Sequence, residues 1–339
     1  MPASSSDASS LRRILLGTGA ALTGTYAGLQ AALRWHRRRL PAPSTLPPVL
    51  DADVRTVEGP DGRANVYVRP GTGVPIVLLH SFNAAASPHE VAPIFDHLAA
   101  TTDRPLYAMD WIGFGRSARR AIDYTSDVYK RQLYHLLDTA VDAPADVVAL
   151  SLGCEYAARV ALQAAPLVRR LVLVAPTGLT AARERPLALR LALEAAGRTG
   201  VFELLFARLT RRASLRRFYA RQVFVDPAAV PDALVDAAYD TSHARGAHRA
   251  PQRFVDGSLF LDDVAHTVYA RLYRPTLLLT PSDPADTVQR FDRLPEVLDA
   301  NERDLHHTLL PGGLLPHFEA PAPFFDALDS FLALQHQNV

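Results

Sequence analysis

The residues best placed by type and spacing to do chemistry lie in Val147-Val148-Ala149-Leu150-Ser151-Leu152-Gly153. An apolar strand runs straight into a serine, and small residues, Ala149 and Gly153, stand two positions to either side. That pattern suits a serine held on a sharp strand-to-helix turn, because larger flanking side chains would collide across it. A helix beginning at Leu152 aims its N-terminal amides at the serine and favours negative charge developing there. The chemistry implied is attack by the Ser151 hydroxyl on a carbonyl carbon. A serine hydroxyl is a weak nucleophile, so this chemistry also needs a base. No Gly-x-Gly-x-x-Gly opens a helix after a strand and no phosphate-binding loop is present. The single cysteine, Cys154, and the histidines lack zinc-like spacing, so neither a cofactor nor a metal is expected.

Such a serine must be positioned by a buried sheet. Short apolar runs at 74–80, 105–109, 146–150, 170–174 and 276–280, and a weaker one at 304–310, read as strands covered on both faces. Residues 63–69 alternate as an early antiparallel strand behind the hairpin signal Asp61-Gly62. Helical patterns occupy 90–100, 128–141, 152–165, 288–298 and 316–334. Strand and helix alternating in this way predict an α/β fold, a mostly parallel central sheet flanked by helices, with chemistry at the carboxyl ends of the strands. The roughly 90 residues from Leu179 to Ala270 break the alternation with helical pattern only, which marks an insertion placed as a lid over that edge. The expected organisation is an N-terminal segment and Pro-rich linker over 1–48, a core over 49–179 and 271–339, and a helical lid over 180–270.

Composition narrows the function classes. The chain has 339 residues, 48% hydrophobic, with 36 basic and 35 acidic side chains, so it can bury a large core and carries no global field for nucleic acid. Within the lid, ten arginines between Arg183 and Arg221 face only Glu184, Glu194 and Glu203, an excess that suits a solvated helix face or a contact with anionic lipid headgroups. At the N-terminus, Arg12-Arg13 precede an uncharged run from Ile14 to Leu33, and Arg34, Arg37, Arg38 and Arg39 follow it. The run has the length of a bilayer core, and the heavier arginine flank on its C-terminal side places the globular part in the cytoplasm. Export through a twin-arginine signal is the alternative, without a small-residue cleavage pattern to support it.

The sequence resembles the lid-bearing α/β-hydrolase superfamily over nearly all of residues 51–336. Besides the Ser151 elbow, Leu78-Leu79-His80-Ser81-Phe82-Asn83 is similar to the family's His-Gly turn, with Ser81 in place of the glycine. The resemblance implies an oxyanion hole made by the backbone N–H groups of Phe82 and Leu152. Asp110-Trp111-Ile112-Gly113-Phe114-Gly115-Arg116-Ser117 resembles a loop that is structural in most members. Leu279-Thr280-Pro281-Ser282-Asp283 matches the segment that carries the family's acid, implying Asp283, with Asp286 as the alternate. The family's closing Gly-His-x-Pro-His-x-Glu-x-Pro reads here Gly313-Leu314-Leu315-Pro316-His317-Phe318-Glu319-Ala320-Pro321. Leu314 thus stands at the usual catalytic histidine, and His317 is the provisional base. His243 and His248 of the lid, or one of His306 and His307, are the other candidates, while His80 is expected to stabilise its own turn.

Two functions are consistent with these residues. One is a serine hydrolase acting on a small hydrophobic ester or related acyl substrate. The other is a catalytically degenerate binding or scaffold protein at a membrane, in which Leu314 records the loss of the base.

Overall fold

A computed structural model describes residues 26–180, 187–282, 289–302 and 304–333. The chain forms two compact units, residues 1–40 and residues 41–339. In the first unit a helix, α1, spans residues 26–39, and the Arg39 guanidinium lies 3.6 Å from the centre of the Trp35 ring. Residues 14–25 of the expected anchor lie outside the described residues. Among the described residues no helix is long and apolar enough to cross a membrane.

The second unit is built on an eight-stranded sheet. Its strands are β1 (Asp53–Gly59), β2 (Gly62–Arg69), β3 (Ile76–Leu79), β4 (Leu106–Met109), β5 (Ala145–Leu150), β6 (Val168–Val174), β7 (Thr276–Pro281) and β8 (Leu305–Leu310). They lie in the order β1-β2-β4-β3-β5-β6-β7-β8, antiparallel from β1 to β4 and parallel from β4 through β8. Each apolar run named above contains a strand. β1 is the addition, and its charged, exposed sequence Asp53-Val54-Arg55-Thr56-Val57-Glu58-Gly59 explains why no apolar run announced it. It turns into β2 through Pro60-Asp61, where the hairpin signal stood.

Side chains alternate across the sheet and seed two cores. Val77, Leu79, Val147, Ala149, Leu171 and Leu173 pack against α3 (Ser126–Thr139) and α4 (Leu152–Gln163). Ile76, Leu78, Val148, Leu150, Val172 and Val174 pack with Phe95 of α2 (Ala92–Thr101) and with Phe324 and Leu328 near the C-terminus. Each fully buried aliphatic or aromatic side chain contributes about 1.5–3 kcal/mol, so the sheet's centre is rigid enough to hold a strained turn at its edge.

Two expected helices are shorter than their patterns, and proline is the reason. The stretch 316–334 divides into α12 (Pro316–Glu319) and α13 (Pro321–Ala333), because Pro321 forces Ala320 out of the helical region, to φ −133° and ψ 64°. The stretch 288–298 yields α11 (Leu294–Ala300), which begins at the residue before Pro295, where a missing N–H costs nothing. Between β6 and β7 the described residues form only helices: α5 (Leu187–Thr199), α6 (Val201–Leu209), α7 (Arg212–Gln222), α8 (Asp232–Ser242), α9 (Arg249–Val255), α10 (Val264–Thr267) and short 3-10 turns.

Candidate active site

Ser151 occupies the junction of β5 and α4 with φ 52° and ψ −121°, a conformation that side chains resist. Its own N–H donates to Val174 O at 2.9 Å, and its carbonyl accepts from Cys154 N at 3.0 Å. Ser151 is partly exposed, and its hydroxyl bonds to none of the described residues. The flanking glycine has a steric reason: a Cβ on Gly153 would lie 3.1 Å from the His80 carbonyl oxygen. Cys154, next along α4, donates to Ala149 O at 3.1 Å, and burial pushes its thiol far above the ordinary range, so it is inert.

The parallel register carries β3 alongside β5, with Leu79 opposite Ala149, and so brings the turn after β3 beside the elbow. A buried carboxylate organises that turn. Glu90 accepts from Ser81 N at 3.0 Å and from Asn83 Nδ2 at 2.7 Å, and Asn83 Oδ1 accepts from Ala85 N at 2.7 Å. The Phe82 ring is wedged among Trp111, Phe114, Tyr129 and Tyr156 with centroid separations of 4.7–5.3 Å. The amides of Phe82 and Leu152 donate to no acceptor among the described residues. His80 is consumed by the turn itself, because it accepts from Trp111 N at 3.2 Å through Nε2 and donates to Ser81 O at 2.8 Å through Nδ1. Burial lowers its pKa to about 3, so the ring stays neutral.

The loop from Asp110 to Ser117 is held by its own contacts. Asp110 Oδ2 accepts from Asn65 Nδ2 at 2.7 Å and from Arg116 N at 3.0 Å. Gly115, at φ 47°, leaves room for that carboxyl, since a Cβ would sit 1.6 Å from Asp110 Oδ1. These are structural ties. On the acid side, β7 ends at Pro281 and Ser282 N donates to Leu310 O at 2.8 Å. Asp283 and Asp286 lie outside the described residues.

Leu314 is half-buried against the apolar cluster that holds Val223 and Phe224, and its N–H donates to Val223 O at 2.7 Å. His317 is buried between the Phe318 and Phe324 rings, where Nε2 donates to Glu90 O at 2.7 Å and Nδ1 has no hydrogen-bond partner. Burial lowers its pKa to about 4. His243 stacks on Tyr239 with a centroid separation of 3.9 Å and shares Nδ1 with Tyr239 O, while His248 Nε2 lies 3.8 Å from Glu203. His307 pairs with Thr280 Oγ1 at 2.8 Å and His306 faces solvent. Among the described residues, therefore, the structure sets the turn that carries Phe82 beside the elbow of Ser151 and Leu152 and hydrogen-bonds no imidazole to the Ser151 hydroxyl.

Three carboxylates bind backbone amides in ways that no sequence pattern marked. Besides Glu90, Glu155 lies four residues beyond Ser151 on α4, fully buried, where Thr177 Oγ1 (2.5 Å) and Leu261 N (2.8 Å) donate to it. Burial raises its pKa to about 7. Glu319 accepts from Gly313 N (2.6 Å), Val225 N (2.8 Å) and Asp226 N (2.9 Å), tying the Leu314 loop to the helices between β6 and β7. Glu319 lay inside the closing motif, but nothing in the sequence marked its partners. No three His, Cys, Asp or Glu side chains among the described residues are grouped to hold a metal ion.

A mostly parallel sheet with a strained serine at the end of β5 fits an α/β hydrolase, and the sequence matches the Alpha/beta hydrolase family over residues 76–327. The chain belongs to that family. It is 30% identical over 118 residues to the 2-hydroxy-6-oxo-6-(2'-aminophenyl)hexa-2,4-dienoic acid hydrolase of Metapseudomonas resinovorans, a match spanning 33% of this chain and 39% of that protein. Among solved structures it is similar to a serine hydrolase involved in carbazole degradation (TM-score 0.61, 22% identity, 84% of this chain and 99% of that one). It is also similar to the enol-lactonase of Burkholderia xenovorans LB400 (TM-score 0.64, 16% identity, 83% of this chain and 100% of that one). At these identities the structural likeness establishes the fold.

Proposed function

We propose that the protein is a serine hydrolase acting on a small hydrophobic ester or related acyl substrate. In this reading Ser151 Oγ attacks the carbonyl carbon, a histidine takes its proton, Asp283 orients that histidine, and the Phe82 and Leu152 amides hold the oxyanion. The observation that carries it is the strained φ of Ser151 beside two amides without acceptors among the described residues. The hydrolase names of the similar proteins support it. His317 remains the proposed base. With a pKa of about 4 it is unprotonated at neutral pH, and with Nε2 donating to Glu90 O its lone pair lies on Nδ1, which has no hydrogen-bond partner. A base is typically worth about 10²–10⁴-fold.

A second reading, a degenerate binding protein, is favoured by one observation: an apolar Leu314 fixed where relatives keep their imidazole. A fluorophosphonate decides between them. Labelling of the wild type that disappears in Ser151→Ala supports the hydrolase, and its loss in His317→Ala supports that residue as base. Absence of labelling in the wild type rejects hydrolysis in favour of binding. As to location, the uncharged run 14–33 with its arginine flanks supports an N-terminal membrane anchor with the globular part on the cytoplasmic side.

A further inference from the structure

We propose that the outer face of α5 and α6 is a docking surface for an anionic lipid bilayer. Helix α6 reads Val201-Phe202-Glu203-Leu204-Leu205-Phe206-Ala207-Arg208-Leu209 and is apolar nearly all round. Its inner face is accounted for: Phe202 and Phe206 are buried with Ala247, and Leu193 and Ala196 pack against them. Its outer face is not. Val201, Leu205 and Leu209 recur every fourth residue and are 45%, 45% and 58% exposed, and Leu191 on α5 is 56% exposed. Few water-facing helices place leucine at successive turns of their outer surface, and one apolar on both faces needs a second apolar environment.

The charges around this stripe say which environment. On α7, Arg212 and Arg216 are neutralised by Asp236 and Asp232 of α8. Arg208 and Arg211, which flank Leu209 in sequence, are exposed, and their guanidiniums have no ion-pair or hydrogen-bond partner among the described residues. Of the two glutamates on α5 and α6, Glu194 is taken by Arg198 and Glu203 is buried. Leucines that enter the acyl boundary beside free guanidiniums at headgroup level match an anionic interface. A second copy of the chain fits less well, because a two-fold pairing through this face would bring the same arginines together. The inference is independent of whether Ser151 turns over a substrate.

Cys154 is fully buried, so a cysteine placed at the surface takes a thiol-reactive dye selectively. Leu205→Cys in the full chain, labelled with nitrobenzoxadiazole, reports the polarity at the stripe, and Tyr134→Cys, exposed on α3, serves as the reference. With vesicles of phosphatidylcholine and phosphatidylserine, the dye at 205 is expected to shift to the blue and brighten several-fold, while the dye at 134 stays in water. Added salt should reverse the shift, and Arg208→Glu with Arg211→Glu should weaken it by about tenfold or more in lipid concentration. No shift at 205 overturns the proposal, as does an equal shift at 134, an equal response to phosphatidylcholine alone, or a shift that follows protein concentration without vesicles, which would mean self-association.

Discussion

At residue scale the determining feature is a backbone angle. Serine at φ 52° and ψ −121° carries strain on the order of 1–3 kcal/mol, and the interlocked bonds from its N–H to Val174 O and from Cys154 N to its carbonyl hold it there. Glycine adopts positive φ freely. Ser151→Gly is therefore expected to unfold at a higher temperature than the wild type, by about 1 kcal/mol in stability, while losing any fluorophosphonate labelling. A melting temperature at or below that of the wild type would mean the angle is not strained. The elbow was legible in the sequence because its determinants, an apolar strand, two small flanks and a helix start, are all local. The direction of the His317 ring was not, since it depends on Glu90, 227 residues away in the chain.

At the scale of elements, carboxylates act as clasps between segments that are distant in sequence. Glu319 gathers three amides, two of them in the loop between α7 and α8, and so fixes how that segment meets the loop carrying Leu314. Removing a buried or half-buried acceptor that serves several donors costs about 1–3 kcal/mol. Glu319→Ala should lower stability by that amount and speed amide hydrogen exchange at Val225, Asp226 and Gly313 more than at the strands of the sheet. Uniform exchange across the molecule would show that the clasp has no local role. The expected strands and most helices followed from periodicity. The break at Ala320 was written in Pro321 but was obscured by the continuous apolar pattern on either side. β1 left no apolar trace because most of its side chains lie in solvent.

At the scale of the whole molecule, buried titratable groups pull stability in opposite directions with pH. Burial raises the pKa of Glu155 from 4.5 to about 7, so between those values the folded chain binds more protons than the unfolded one. Its contribution is fully present below about pH 4.5 and is lost as pH rises through 7. Burial lowers the pKa of His317 from 6.5 to about 4, so the unfolded chain binds more protons in that interval. That contribution is present above about pH 6.5 and is lost as pH falls through 4. Each amounts to a few kcal/mol, on the order of the shift in protonation free energy. The melting temperature of Glu155→Gln relative to wild type should therefore improve as pH rises from 5 to about 7.5, and that of His317→Asn should improve as pH falls from about 7 to 4. Parallel profiles for variant and wild type would remove these groups from the account.

What the chain alone settled was the order of buried strands and the place of the serine, because hydrophobic period, turn residues and small flanks act over a few positions. The resemblance of motifs implied an oxyanion turn at Phe82 and an acid at Asp283, which lies outside the described residues. Only folding decided which side chains meet across the chain: that Glu90, Glu155 and Glu319 bind amides, that Leu314 packs against Val223, that His317 points at a carbonyl. Burial and partner choice depend on neighbours supplied by remote segments, and local pattern carries no record of them.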